Sequence, residues 1–417
     1  MNLNLLIYAV DYTFVFILTQ IFNMPTLLSI VIPALILLLS YAFRAYDLEN
    51  LECFNNQIVR LLISSFLSFL LLPLILEMFH LNIPKKTISY VFLIAPLLLS
   101  PMNTLLIKIT RKAIKPKKYL VIGKENEVKD ILDEITQKSM GKYLFEEFIN
   151  PSPVKFREKV THYDNILVAD YYLYENIKDE IQKDIEGKYI EYLSELSEKV
   201  LKRIPISVAL KFKEYYEVEL GKIKESPAKR VLDVIGAFVG LILFLPFMLI
   251  ATIGILIEDG KPVVFKQLRV GKKNKEFLML KFRSMRNIEA DGEAKFVDDE
   301  KYRILKIGKF IRLTRIDETL QFINVLKGDM SLVGPRPEQI SFVRMFEREI
   351  PFYPYRHNVK PGITGWAQIM YKYSSSTEET VEKLSYDLYY VKNRNIFMDL
   401  QIILQTLETM FLKRGAK

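Results

Sequence analysis

Four apolar runs fill the first 107 residues, at 3–22, 25–43, 58–79 and 89–107. Each is close to the ~20 residues that a helix needs to cross the hydrocarbon core of a bilayer. The pattern predicts an N-terminal four-helix transmembrane bundle over 1–110. The first run has no basic leader and no small-residue cleavage site, so it is expected to be retained as a helix. Asp11 stands within it, either as a polar contact to a neighbouring helix or as a functional intramembrane acid. Six basic residues crowd 108–118 (Lys108, Arg111, Lys112, Lys115, Lys117 and Lys118) and outweigh Lys85 and Lys86. They place the end of the fourth helix on the cytoplasmic side, and four crossings bring the amino terminus there too.

The pattern then changes. Short apolar stretches at 118–123, 145–149 and 165–169 alternate with helical patterning at 127–138 and through Leu201. Such alternation predicts a small doubly wound α/β domain, Rossmann-like, over 118–215. A dinucleotide site wants a glycine-rich turn after the first strand, where backbone can approach a pyrophosphate. Here the turn reads Gly123-Lys-Glu-Asn-Glu-Val, with one glycine and two acids that repel phosphate. The signature is degenerate, and a structural or regulatory module is expected in place of a cofactor site. Charged residues dominate 211–230, and 216–230 reads as a linker.

Residues 231–257 contain one charge, Asp233, and would suit a fifth crossing by hydropathy. Pro246 near the centre predicts a sharp bend between 232–245 and 247–257, each too short to span alone. Lys222, Lys224, Lys229 and Arg230 precede the segment; Lys261, Lys266 and Arg269 follow it. Positive charge on both sides favours two cytoplasmic ends. A re-entrant hairpin dipping into one leaflet satisfies this slightly better than a true crossing, and the sequence leaves both open.

Composition narrows the chemistry. The 417 residues are 50% hydrophobic yet 26% charged, so greasy and charged stretches must be segregated. Lys plus Arg number 58 against 49 acids, a net charge of +9, which suits an anionic membrane surface or phosphorylated ligands. No nucleic-acid motif accompanies that charge, so no nucleic-acid partner is expected. One cysteine, Cys53, and three scattered histidines exclude a disulfide framework, a Cys-rich zinc site and a His-based metal cluster.

After the apolar segment, 263–267 and 277–282 predict a hairpin around Gly271-Lys-Lys-Asn, followed at once by Lys281, Arg283 and Arg286. An acid-rich stretch at 289–301 includes Asp298-Asp299-Glu300, read as a solvated loop. Residues 303–337 differ in kind. Thr314 can cap a helix running to 326, with Asp317 at the acid position of a capping box. Against that bland reading stands the charge around Asp317-Glu318: Arg312 and Arg315 flank the pair, and Arg336 sits between two prolines in Gly-Pro-Arg-Pro. Carboxylates among fixed arginines describe a site for Mg²⁺ and a diphosphate, in which a carboxylate can act as nucleophile on phosphorus.

Residues 303–337, together with Val359-Lys-Pro-Gly-Ile-Thr-Gly-Trp-Ala-Gln368 and Asp387-Leu-Tyr-Tyr-Val-Lys-Asn393, resemble the bacterial monotopic polyprenyl-phosphate phosphoglycosyl transferases. The resemblance runs from about Lys229 to the carboxyl terminus. With four helices and a degenerate α/β module ahead of it, the chain looks like the large subgroup that initiates exopolysaccharide or O-antigen assembly. The resemblance implies an α+β membrane protein whose monotopic catalytic domain (258–417) follows a re-entrant membrane helix (231–257). It implies a catalytic dyad of Asp317 and Glu318. Asp317 would attack the phosphate attached to the sugar of a nucleotide (UDP) sugar, and polyprenyl (undecaprenyl) phosphate would then take the phosphosugar. Glu318 would assist as a base or metal-associated acid. Mg²⁺ would bind at Asp317, with Arg312 and Arg336 holding phosphates and Lys281, Arg283 and Lys372 as further phosphate ligands. The enzyme would sit in the bacterial inner membrane among its lipids, its catalytic domain on the cytoplasmic face; homodimerisation is left open.

Two departures from the family pattern matter. Leu245-Pro246 stands where Ser-Pro is frequent, which keeps the bend and loses a serine. Lys372 stands where an arginine is common, which keeps charge and loses the guanidinium fork. His357 is read as structural, and Trp366 as packing or ligand contact. Ile396, Leu400, Ile403, Leu407 and Met410 share one face of a C-terminal helix, bracketed by Lys392, Arg394, Lys413 and Arg414, that is either core or interfacial. Two rivals remain: an inert membrane scaffold for polysaccharide assembly, and an ordinary sugar transferase that releases nucleoside diphosphate.

Overall fold

The computed structural model describes residues 3–47, 50–51, 53–78, 85–113, 115–150, 152–223, 225–286, 304–371 and 377–411. Lys224, Asp298, Asp299, Glu300, Lys372, Lys413 and Arg414, named from the sequence, lie outside them. The chain folds as two compact units, Met1–Leu196 and Ser197–Lys417.

In the first unit, helices α1 (Leu3–Ile21), α2 (Thr26–Ala42), α3 (Phe54–Met78) and α4 (Lys85–Ala113) follow the four apolar runs. They share one core that includes Val15, Leu28, Ile32, Leu61, Val91 and Leu99. Three stretches among the described residues are long and apolar enough to cross a membrane, 54–73 and 86–110 in this unit and 227–259 in the second, while Leu5–Ile21 and Thr26–Ala42 are apolar but shorter. Asp11 is fully buried, and one carboxylate oxygen accepts from Tyr46 OH (2.8 Å) and Asn103 Nδ2 (2.9 Å).

The α/β module has four parallel strands in the order β2-β1-β3-β4, with β1 at Lys117–Ile122, β2 at Tyr143–Ile149, β3 at Asn165–Val168 and β4 at Tyr189–Tyr192. Strand β4 is not among the strands expected from the sequence, since its four residues hold two tyrosines and a glutamate and show no apolar run. Buried Glu191 is anchored there by the Tyr119 hydroxyl (2.6 Å). Gly123 ends β1 where a Cβ would lie 3.0 Å from that of Ala169. Close approach of β1 to β3 therefore accounts for this glycine without any nucleotide. Helix α5 (Glu125–Lys138) opens with Glu125 and Glu127 in its first turn.

In the second unit, charged residues read as linker instead form α6 (Lys213–Gly221). Asn358 donates to the Leu220 carbonyl (2.8 Å) and fixes it to the C-terminal half. Helix α7 (Pro227–Asp259) then runs 33 residues with Pro246 inside it. The two halves expected at 232–245 and 247–257 belong to this one helix, which packs against the unit on both sides of the proline. Asp233, Ala237, Gly240, Phe244, Met248, Ala251, Ile255 and Glu258 recur at spacings of three and four and form one stripe against the rest of the unit. Asp233 accepts from Ser331 Oγ (2.8 Å) and Leu332 N (2.9 Å); Glu258 accepts from Lys306 N (2.7 Å) and Ile307 N (2.8 Å). The other faces stay apolar and uncovered, with Leu243, Leu245, Phe247, Leu249 and Ile250 all exposed around the proline.

The hairpin forms as expected from β5 (Val264–Val270) and β6 (Glu276–Phe282). Next come α8 (Lys306–Leu313), a 3-10 turn at Ile316–Glu318, and α9 (Gln321–Lys327). A two-strand parallel pair, β7 (Ser331–Val333) and β8 (Gly362–Thr364), precedes α10 (Thr377–Asn393) and α11 (Ile396–Phe411). In α11, Asp399, Ile402 and Gln405 are buried while Ile396, Leu400 and Leu407 of the predicted apolar face are exposed.

Candidate active site

The single helix expected from Thr314 to 326 does not form. Thr314 is instead the C-cap of α8, its hydroxyl donating back to the Phe310 carbonyl (2.8 Å). Arg315 follows in the left-handed region at φ 60°, an uncommon conformation for a residue with a side chain, and redirects the chain. Buried Ile316 then anchors the 3-10 turn in an apolar cluster with Ala251, Ile255, Phe282, Ile311 and Leu320. Asp317 is thus neither third in a helix nor a capping acid. It sits on a short turn held by a strained arginine, with no secondary-structure duty of its own.

Its two carboxylates have opposite surroundings. Glu318 Oε1 accepts from Lys281 Nζ (2.9 Å) and from Arg336 Nη2 (3.1 Å). Burial would push the Glu318 carboxyl up, but Arg336 and Lys281 outweigh it and hold it well below the usual carboxylate range. Among the described residues Asp317 has no such partner, and its buried Oδ1 accepts no hydrogen bond. Burial, then the neighbouring Glu318 charge, pushes it up to about 6 against the pull of Lys281, Arg315 and Arg312. Burial also lowers Lys281 while Glu318 opposes the shift. The turn therefore presents one charge-matched acid and one acid with an unengaged oxygen and a pKa close to neutral.

Three supports aim these groups. Asn324 of α9 clips the edge of β6, accepting from Leu280 N (3.0 Å) and donating to the Leu278 carbonyl (2.8 Å), so that Lys281 reaches Glu318. Arg336 rides the Gly-Pro-Arg-Pro loop after β7. That loop lies against the Val359–Gln368 motif, where β8 pairs with β7 and a Cβ on Gly334 would meet the Lys360 carbonyl at 2.3 Å. Glycine is required there by backbone contact. Buried Arg356 holds Asp387 through Nε (3.2 Å) and Nη2 (2.8 Å), and Nη2 also donates to the Arg336 carbonyl (3.0 Å). Asn324 and Arg356 were not singled out from the sequence, because Asn324 reads as a helix-interior residue and the partners of Arg356 lie 20 and 31 residues away.

Of the residues expected at the site, Asp317, Glu318, Lys281 and Arg336 come together, with Arg312 close enough to act on the Asp317 charge. Arg283 does not join them. It is buried at the end of α7, where Nη2 donates to the Asp259 and Gly260 carbonyls (2.8 Å each) and lies 3.1 Å from the Asp259 carboxylate. Its duty is to fasten the helix. His357 is buried edge-on to Tyr353, and burial and Arg356 lower its pKa to about 3, so it is a neutral packing residue. Trp366 packs too, its Nε1 donating to the Lys202 carbonyl (3.0 Å).

A family described as "Bacterial sugar transferase" matches residues 224–413. The chain is 43% identical over 233 residues to a UDP-N-acetylgalactosamine-undecaprenyl-phosphate N-acetylgalactosaminephosphotransferase of Aeromonas hydrophila, covering 55% of this chain and 53% of that protein. It is 40% identical over 190 residues to a UDP-glucose:undecaprenyl-phosphate glucose-1-phosphate transferase of Klebsiella pneumoniae, covering 45% of this chain and 41% of that one. These matches span about half of each relative's length. The exopolysaccharide production protein PSS of Rhizobium leguminosarum bv. phaseoli is 38% identical over 186 residues, 43% of this chain and 92% of its own. The acid pair among fixed cations thus lies within the matched region, and the chain belongs to the bacterial sugar transferase family, that of the polyprenyl-phosphate phosphoglycosyl transferases.

Proposed function

We propose that this protein transfers a sugar 1-phosphate from a UDP-sugar to undecaprenyl phosphate, the first membrane step of a bacterial exopolysaccharide, capsule or O-antigen pathway. The observation that carries the reading is the buried Oδ1 of Asp317, without a partner among the described residues, beside Lys281, Arg312, Arg315 and Arg336. In the first step an Asp317 carboxylate oxygen bonds to the sugar-bearing phosphorus. The bond from that phosphorus to the bridging oxygen breaks, and nucleoside monophosphate leaves with the electron pair. In the second step a phosphate oxygen of the lipid bonds to the same phosphorus, and the Asp317 carboxylate departs. Lys281 and Arg336 neutralise the diphosphate, which lowers the barrier to attack by an anion.

Mg²⁺ suits the residues present. Among the described residues no group of three His, Cys, Asp or Glu could cage a metal, but Mg²⁺ is ordinarily held by one or two carboxylates with substrate phosphates completing the shell. Asp317 would hold it, and when bound it would supply further neutralisation of phosphate charge.

The same unit supports a reading of the membrane arrangement. At 1.5 Å per residue α7 is roughly 50 Å long, yet both its ends are fastened to one folded body through Asp233 and Glu258. Glu225, before the helix, lies 2.9 Å from Lys272, beyond it in the hairpin. A crossing helix would draw that polar hairpin back through the bilayer. A re-entrant helix, its uncovered apolar faces in one leaflet and its ends at the cytoplasmic surface of the inner membrane, satisfies every contact. The exposed face of α11 would rest at the same interface, and α1–α4 would form the transmembrane bundle.

The test uses the full chain in lipid nanodiscs with Mg²⁺ and a panel of UDP-sugars. Without lipid acceptor, up to one equivalent of UMP per protein is expected, with a phosphosugar adduct on the Asp317 peptide by mass spectrometry. UDP as the sole product would overturn the reading in favour of an ordinary sugar transferase. No product with any donor would favour the inert scaffold.

A further inference from the structure

We propose that Arg356, locked to Asp387, is a positioning residue that sets where the Arg336 guanidinium stands. The inference rests on the reading of Arg336 as a phosphate-binding group. Pro335 and Pro337 carry no N–H, so the loop around Arg336 has few donors with which to hold its own shape. Its carbonyls are held from outside instead, four in succession. Pro335 O accepts from Gly362 N (3.0 Å), Arg336 O from Arg356 Nη2 (3.0 Å), Pro337 O from Arg269 Nη1 (3.1 Å) and Glu338 O from Val270 N (3.2 Å). The donors come from β8, from the 3-10 turn Tyr353–Asn358 and from β5. The loop is therefore hung between three separate parts of the unit.

Arg356 is the donor on the carbonyl of Arg336 itself. It is buried, with Nε and Nη2 on Asp387 and Nη1 on the Tyr353 hydroxyl (3.0 Å). So placed, it does not present its charge to a ligand, and any influence on phosphate must pass through Arg336. The planar fork matters because one guanidinium grips the carboxylate and the carbonyl together. A lysine ammonium on the same stem offers no fixed fork for both. A displacement of about 1 Å in a positioning group is enough to cost about a hundredfold in rate, so a loosened loop should be visible in turnover.

The experiment is a double-mutant cycle on the full chain in nanodiscs, using whichever UDP-sugar supports UMP release. Arg356→Lys should lower kcat/KM at least tenfold. Combined with Arg336→Ala, which has already lost the group being positioned, it should add less than a twofold loss. Hydrogen exchange provides a readout that needs no turnover: the amides of Arg336 and Glu338 should exchange faster in Arg356→Lys while those of β5 and β6 keep their wild-type rates. Losses that multiply in the double variant, or loop amides that exchange as in wild type, would overturn the inference. If Arg356→Lys does not fold, Tyr353→Phe removes one acceptor from the fork and should give a two- to threefold loss that vanishes with Arg336→Ala; no loss would count against the proposal. Should the wild type release no UMP from any donor, the functional reading falls, and the exchange arm alone decides whether Arg356 orders the loop.

Discussion

Replacing Asp317 by asparagine should abolish turnover and at the same time stabilise the protein. An acid held at about 6 when its ordinary value is 3.8 costs about 3 kcal/mol to ionise at neutral pH. Burial and the Glu318 charge impose that cost, and the unpartnered Oδ1 offers nothing to offset it. Asparagine keeps the shape and removes the charge, although its amide protons need partners of their own. A net gain of about 1–3 kcal/mol is therefore expected. For a unit of this size that is a rise in Tm of roughly 2–10 °C. The chain's one tryptophan, Trp366, is buried in the same unit, so its fluorescence reports the relevant transition. The pH dependence has a definite sign. Below about 3.8 the carboxyl is protonated in folded and unfolded chains alike, and the cost is absent; it grows as pH rises and is complete above about 6. The Tm advantage of Asp317→Asn should thus be largest at pH 7–8 and shrink steadily toward pH 4. A lower Tm at pH 7.5, or an advantage unchanged by pH, would refute the reasoning and return Asp317 to a structural role.

The kcat/KM for UMP release, read at subsaturating UDP-sugar, should rise about tenfold per pH unit below about 6 and level off above it, as Asp317 in the free enzyme becomes the anion proposed to attack. Glu318→Gln removes one of the two causes that raise Asp317 and leaves Lys281 and Arg336 unneutralised, so the midpoint of that profile should move to lower pH. Gly334→Ala would set a Cβ 2.3 Å from the Lys360 carbonyl and 2.9 Å from Gly362 N, a backbone clash expected to cost about 3 kcal/mol or prevent folding; Trp366 fluorescence melts measure it. In a Cys53→Ser background, cysteines at Lys222 and Lys275 should show the same accessibility to an impermeant thiol reagent in intact cells, since opposite accessibility means that α7 crosses.

Much of this architecture was legible because its signals are local. Apolar runs of membrane length, period-two strands around Gly271 and the paired prolines at 335 and 337 each declare themselves within a few residues. The turn carrying the acids did not. Thr314, Asp317 and Glu318 fit a helix start as well as a helix end, and the deciding event, the left-handed Arg315, has no glycine or asparagine to announce it. Arg283 was misplaced for the opposite reason. Its neighbour Lys281 points to Glu318, and charge alone did not separate a residue that binds phosphate from one that fastens Asp259. The supports lay furthest out of reach, since Asn324 and Arg356 act on backbone tens of residues away.

The division of labour between two adjacent carboxylates follows from which neighbours the turn gives each. Glu318 faces the two cations fixed by β6 and the Arg336 loop, so it is ionised at every physiological pH and its Oε1 is doubly engaged. Asp317 shares the turn and feels Lys281, but its Oδ1 accepts no hydrogen bond among the described residues, and its ionisation is opposed by the charge that Glu318 carries. In the proposed reaction, the oxygens of an entering diphosphate would compete with Glu318 for Lys281 and Arg336. Each cation drawn toward phosphate leaves the Glu318 charge less compensated, while the phosphate adds negative charge of its own; both raise the energy of the Asp317 anion. In the proposed reaction that anion loses its charge as it bonds to phosphorus, so the repulsion is relieved as the transition state forms. An acid whose anion is already costly in the resting site is thus better placed to attack than one whose charge is matched, which supports the proposed roles of Asp317 as nucleophile and Glu318 as holder of the cations.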